Sequence, residues 1–159
     1  MPSSVTRKMP DGRKFAKIVV AFDGSKDSVE AIKLAGLLAS AYGSEVIVVH
    51  VFSFPTIGFS AASGVPIPDY RELESAKQEA ARAVLTKGVQ LASDEGLKAK
   101  GELIQAPSVV EAIVKFATDE KAGLIVVGTR GMTGFKKLIL GSVSSGLVNH
   151  APCPVLIAR

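Results

Sequence analysis

The residues whose types and spacing could do chemistry are Gly128, Thr129, Arg130 and Gly131, followed after nine residues by Gly141-Ser142. This Gly-x2-Gly-x9-Gly-Ser run begins where a short apolar stretch, Leu124-Ile125-Val126-Val127, ends. Such a stretch has the composition of a strand buried on both faces. Glycines at a strand's end let backbone N–H groups approach an anion closely, because no Cβ stands in the way. Gly141-Ser142 reads as the opening of a helix, whose unpaired N–H groups and dipole favour negative charge. The chemistry expected is the cradling of a phosphate chain.

The elements that must position this cradle alternate between strand and helix patterns. Lys17 to Phe22 is a short apolar strand running into Asp23-Gly24-Ser25. Ser25 or Asp27 can cap a helix in which Ala31, Leu34, Ala35, Leu38 and Ala41 share a face, with Gly43 as its left-handed stop. Val46 to Val51 is a second strand, and residues 52–68, rich in Pro and Gly, form a long loop. A helix starting at Asp69, with Leu73, Ala80, Val84 and Leu91 inward, closes at Gly96. Lys98 to Ile104 alternates as a third strand nearer the sheet edge, and Pro107-Ser108 opens a helix with Val110, Ile113, Val114 and Ala117 as its stripe. The glycine-flanked strand, a helix from about Gly141 to His150 and a last strand, Val155 to Ala158, complete the chain.

Strands alternating with helices predict a single-domain α/β fold: a five-stranded parallel sheet with helices on both faces. Ligands of such sheets sit beyond the carboxyl ends of the strands, where strand order reverses. The first and fourth strands both end in Gly-containing turns, so making them neighbours aims both turns at one crevice.

Composition narrows the function class. The 159 residues are 47% hydrophobic and 21% charged, which fits one folded domain of 17–159 rather than a disordered chain. No apolar run approaches a membrane span, no secretory signal is visible, and Cys153 is the only cysteine, so a cytoplasmic protein without disulfides is expected. The net charge of +4 owes much to Arg7, Lys8, Arg13, Lys14 and Lys17, the first four of them read as part of a flexible basic leader over 1–16. With two Tyr and no Trp to stack on bases, nucleic acid is not an expected partner.

The blocks Ile18-Val19-Val20-Ala21-Phe22-Asp23-Gly24-Ser25, Val48-Val49-His50-Val51, Val126 to Val143 and Pro152-Cys153-Pro154-Val155-Leu156-Ile157 together resemble the universal stress protein family, over residues 16–159. The glycine spacing resembles that of its ATP-binding members. The resemblance implies an adenine nucleotide alpha-hydrolase-like, Rossmann-like sheet and a homodimer joined at or near the last strand. It implies ATP as a regulatory ligand, with Mg²⁺ held through the phosphates if at all, in a stress response with protein partners the sequence does not identify. Carried over by position, it puts adenine and ribose against Ala21, Asp23, Val51 and Val127. It puts the phosphates against Gly128, Thr129, Arg130, Gly131, Gly141, Ser142, Val143 and Ser144.

Each residue also has a plainer reading. A carboxylate at Asp23 repels phosphate unless it meets base or ribose donors or a bridging cation, and it could equally be a turn-and-cap residue. Arg130 is a charge-assisted phosphate donor or an exposed loop arginine. Ser142 and Ser144 are ligands or merely caps, and Lys136 and Lys137 are read as solvated. His50 reads as a packed, hydrogen-bonded histidine and His150 as a turn residue. No metal-ligand spacing, catalytic triad or general base is legible, so hydrolysis is expected to be slow at most. Two other readings stay open. Asp23-Gly24-Ser25-Lys26-Asp27-Ser28 is similar to the Ser-Gly-Gly-x-Asp-Ser loop of ATP pyrophosphatases, departing at its first and third positions. An interaction module binding AMP, cyclic AMP or no nucleotide is the other.

Overall fold

The computed structural model describes residues 14–53, 70–130 and 140–159. Most of the basic leader and of the Pro/Gly-rich loop, together with Gly131, Lys136 and Lys137, lie outside them; Phe52, read as the start of that loop, still belongs to a strand.

The order of elements is β1 (Lys17–Ala21), α1 (Lys26–Tyr42), β2 (Glu45–Phe52), α2 (Tyr70–Asp94), β3 (Ala99–Gln105), α3 (Val109–Asp119), β4 (Leu124–Gly128), α4 (Ser142–His150) and β5 (Val155–Ala158). The strands form one sheet in the order β3-β2-β1-β4-β5, with every pairing parallel. β1 and β4 are therefore neighbours, and the strand order reverses between them.

Alternation along the strands divides the core in two. Ile18, Val20, Val46, Val48, Leu124 and Val126 face α1 and α2. Val19, Ala21, Ile47, Val49, Ile125 and Val127 face α3 and α4. β3 is an edge, as its polar residues predict, and Lys100 on it pairs with Glu45 of β2 at 2.6 Å.

Two helices keep only part of the faces expected: Ala31, Leu34, Ala35 and Leu38 of α1 and Val84 and Leu91 of α2 do pack in the core. In α1 the buried stripe is Ala31, Ile32, Ala35, Gly36 and Ala39, while Ala41 is exposed. In α2 it is Ala81 and Ala92, with Val84, Leu85 and Val89 packing beside them, while Leu73 and Ala80 are exposed. α2 lies so close on the sheet that a Cβ at Gly88 would meet Phe22 at 2.7 Å and Val48 at 3.0 Å, which keeps its most buried positions small. Apolarity alone does not distinguish Ala80 from Ala81.

The caps are set locally. Ser25 Oγ accepts the Ser28 N–H at 3.2 Å, Ser108 Oγ accepts the Glu111 N–H at 3.3 Å, and Gly43 stops α1 with φ 67°. His150 is the last residue of α4, its Nδ1 2.9 Å from the Gly146 carbonyl.

Candidate functional site

Three helices begin around the crevice between the carboxyl ends of β1 and β4. The first turn of α1 carries Asp27, and that of α3 carries Glu111. α4 has no acidic residue there, and its cap residue, Gly141, offers no side-chain hydrogen bond. Its first residues, Ser142, Val143 and Ser144, keep N–H groups without an intrahelical acceptor. Of the three termini, α4 is therefore the one whose partial positive charge is uncompensated, and an anion belongs there.

The crevice is a cleft of about 280 Å³. Ala21, Val51 and Val127 from the strands and Val109 and Ile113 from α3 give it an apolar wall. Asp23, Arg130 and Gly141 to Ser144 line it as well. This brings together every described residue that the sequence and its resemblance singled out: Ala21, Asp23, Val51, Val127, Gly128, Thr129, Arg130, Gly141, Ser142, Val143 and Ser144. Gly131 lies outside the described residues.

The chemistry each residue offers differs from the expectation in several places. Gly128 is glycine for packing: a Cβ there would come within 2.7 Å of Asp27 Cβ and 2.8 Å of its carbonyl carbon. The space a side chain would take belongs to the first turn of α1, not to an anion. At Gly141 the N–H is already given to the Thr129 carbonyl at 2.8 Å.

Thr129 is buried and turns its hydroxyl away from the cleft onto the Ala158 carbonyl. Ser144 is buried too, its Oγ 3.0 Å from both the Thr129 and Gly141 carbonyls. What Ser144 can offer an anion is its backbone N–H. Arg130 is held at its backbone: its N–H donates to Asp27 Oδ2 at 3.2 Å, and its carbonyl accepts from Ser25 Oγ at 3.4 Å.

Asp23 has both a turn role and an available oxygen. Its Oδ1 accepts the Ser25 N–H at 2.9 Å, around Gly24 with φ +86°. The remaining carboxylate capacity suits hydroxyl or amino donors of a ligand.

Val51 contributes backbone. The N–H of Glu45 and the carbonyl of Val49 both point to the β1 side of β2, while the carbonyl of Phe52 points to the β3 side. The two-residue repeat therefore aims Val51 N–H and C=O at the β1 side. The last rung there is Phe22 N–H to Val49 O, at 2.9 Å. β1 has turned away before Val51, whose two groups are left to the cleft as an adjacent donor and acceptor.

Sequence reasoning did not find Val109 and Ile113 as cleft residues, although Ile113 lies in the apolar stripe read for α3 and Val109 opens that helix. The signal was the start of α3 at Ser108, on the same edge as the other strand ends. Among the described residues no three His, Cys, Asp or Glu side chains gather to hold a metal ion, and no helix is long and apolar enough to cross a membrane.

The profile of the universal stress protein family matches residues 14–159. The chain belongs to that family. A universal stress protein of Methanocaldococcus jannaschii is 37% identical over 147 residues, covering 91% of this chain and 82% of its own. Among solved structures, a universal stress protein in complex with cAMP superposes with a TM-score of 0.67 at 25% identity, covering 91% of this chain and 97% of that one. The universal stress protein of Archaeoglobus fulgidus in complex with dAMP gives 0.61, also at 25%, with coverages of 91% and 98%. The Rossmann-like fold of the family is thus the fold of this chain.

Proposed function

We propose that this universal stress protein binds an adenine nucleotide in the β1/β4 cleft, with ATP as a regulatory ligand in a cytoplasmic stress response. The observation that carries the reading is the polarity of the cleft. An uncapped helix terminus and an apolar wall with an unpaired backbone donor–acceptor pair line the same cleft. Phosphate goes to the Ser142–Ser144 N–H groups, with Arg130 adding charge. The base lies between Val127, Ala21 and Val51, and Asp23 takes ribose or base donors. Gly131 retains the phosphate role given by its place in the spacing. Mg²⁺ enters, if at all, on the phosphates.

The complexes of family relatives with cAMP and dAMP support an adenine nucleotide. They also favour a second reading, in which a monophosphate is the working ligand. A cleft of about 280 Å³ is near the lower end of small-ligand sites, roughly 300–1,000 Å³, and suits the nucleoside portion.

Binding fits better than turnover. Ser25, Asp27 and Ser28 are spent on one another and on Arg130, which leaves the loop similar to that of ATP pyrophosphatases little to offer a phosphate. A helix terminus contributes up to about 2 kcal/mol and a charged hydrogen bond about 1.5–3. Nanomolar affinity needs about 12 net, so dissociation constants in the low micromolar range or weaker are expected.

The homodimer belongs to the same proposal. β5 pairs with β4 on one side only, and its Val155, Leu156 and Ile157 are only partly buried. An apolar edge strand of that kind favours pairing with a second copy.

Titration calorimetry with ATP, ADP, AMP and cAMP, each with and without Mg²⁺, tests the reading. Micromolar binding of ATP supports it, and AMP or cAMP binding tighter than ATP selects the monophosphate reading. No heat with any adenine nucleotide would overturn both. Gly131→Val should abolish ATP binding in a protein that still melts cooperatively.

A further inference from the structure

His50 lies on β2 between Val49 and Val51, and its Nδ1 is 2.8 Å from the Phe22 carbonyl oxygen. A carbonyl can only accept, so Nδ1 carries the proton and donates. The location of this bond gives it significance. In a parallel ladder one residue bonds alternate residues of its neighbour. Val49 accepts from Phe22 N–H, so the next rung upward would run from Val51 N–H to Phe22 O. That rung is not formed, and the Phe22 carbonyl takes the imidazole instead.

We infer that His50 is a positioning residue for nucleobase selection, because its imidazole satisfies the Phe22 carbonyl and leaves the Val51 N–H and C=O unpaired for a base. This rests on the nucleotide reading above.

A buried carbonyl needs a partner. Without the imidazole, the nearest donor in register is Val51 N–H, and closing that rung would draw the end of β1 onto β2 and remove half of the base-reading pair. Adenine presents an acceptor at N1 beside a donor at its amino group, complementary to an N–H beside a C=O. Guanine presents the reverse pair at the same two positions. Preference for adenine therefore depends on Val51 remaining open, while phosphate binding at α4 does not.

The test compares wild type, His50→Leu and His50→Asn with ATP and GTP by calorimetry. Asn places an amide N–H near the position of Nδ1. Wild type should prefer ATP, His50→Leu should lose roughly tenfold or more of that preference (about one hydrogen bond), and His50→Asn should restore most of it. Residual GTP affinity should hold in all three. A folded His50→Leu with the wild-type ATP-to-GTP ratio overturns the inference, as does a wild type that binds both equally.

Wild type that binds neither nucleotide defeats the functional reading itself. Amide hydrogen exchange serves if His50→Leu fails to fold. In wild type without ligand, Val51 N–H should exchange much faster than Val49 N–H and become protected on adding ATP. Equal protection of the two amides in the free protein overturns the inference.

Discussion

Thr129 donates twice to one atom: its N–H and its Oγ1 each lie 2.8 Å from the Ala158 carbonyl oxygen. The Thr129 carbonyl in turn accepts the N–H of Gly141 and the hydroxyl of Ser144. One buried residue thus ties the last strand to the start of α4, and it fixes the helix terminus offered to an anion relative to the sheet.

Thr129→Val keeps the shape and removes one of the two donors to Ala158. Because the backbone N–H still satisfies that carbonyl, the loss should be that of an ordinary hydrogen bond, about 0.5–1.5 kcal/mol. Urea denaturation measures it. A variant as stable as wild type would show that the hydroxyl contact contributes nothing.

Gly128→Ala should destabilise by about 1–3 kcal/mol, because the new Cβ overlaps Asp27 at a position without room to relax. The strain falls on backbone and Cβ of α1, not on a flexible side-chain tip. Loss of stability in the absence of any nucleotide distinguishes this packing role from a purely ligand-binding one.

Ser142→Asp separates the helix from its ligand. Ser142 is exposed in the first turn of α4, where an added carboxylate meets the uncompensated dipole. Stability should rise by about 0.3–1 kcal/mol at low salt. ATP affinity should fall at least tenfold, because the carboxylate occupies the anion's place. A parallel rise in both would mean the phosphates bind elsewhere.

Cys153 supplies a pH prediction. Burial pushes its thiol pKa up, and a hydrogen bond with the Ile125 backbone only partly offsets this. The folded state therefore holds the proton to higher pH than the unfolded chain, whose thiol ionises near about 8.5. This contribution to stability is complete below that pH and is lost as pH rises through the folded value. Unfolding free energy should decline above about pH 8.5 more steeply in wild type than in Cys153→Ala. Alkylation of the folded protein at pH 7 should also be slower than that of a free thiol.

Much of the architecture was legible because its signals are local. Apolar runs at Ile18–Ala21 and Leu124–Val127, caps at Ser25 and Ser108, and the stop at Gly43 each act within a few residues. The helix faces were less legible. Ala81 and Ala92 are buried while Leu73 is exposed, a choice made by how closely α2 can approach the sheet. The cleft residues were marked by spacing and family resemblance, yet Thr129 and Ser144 proved to hold their neighbours with their side chains, and His50 holds Phe22.

The amino-acid sequence by itself determined the alternation of strands and helices, the family and the glycine spacing, since periodicity and turn chemistry are properties of adjacent residues. Only the tertiary structure decided that Gly128 makes room for α1, that α4 is the one of three helix termini at the cleft to begin uncompensated, and that Val51 outruns its neighbouring strand. Those facts depend on which distant groups meet, and a hydrogen bond across 105 residues, such as Ser25 to Arg130, leaves no local trace in the chain.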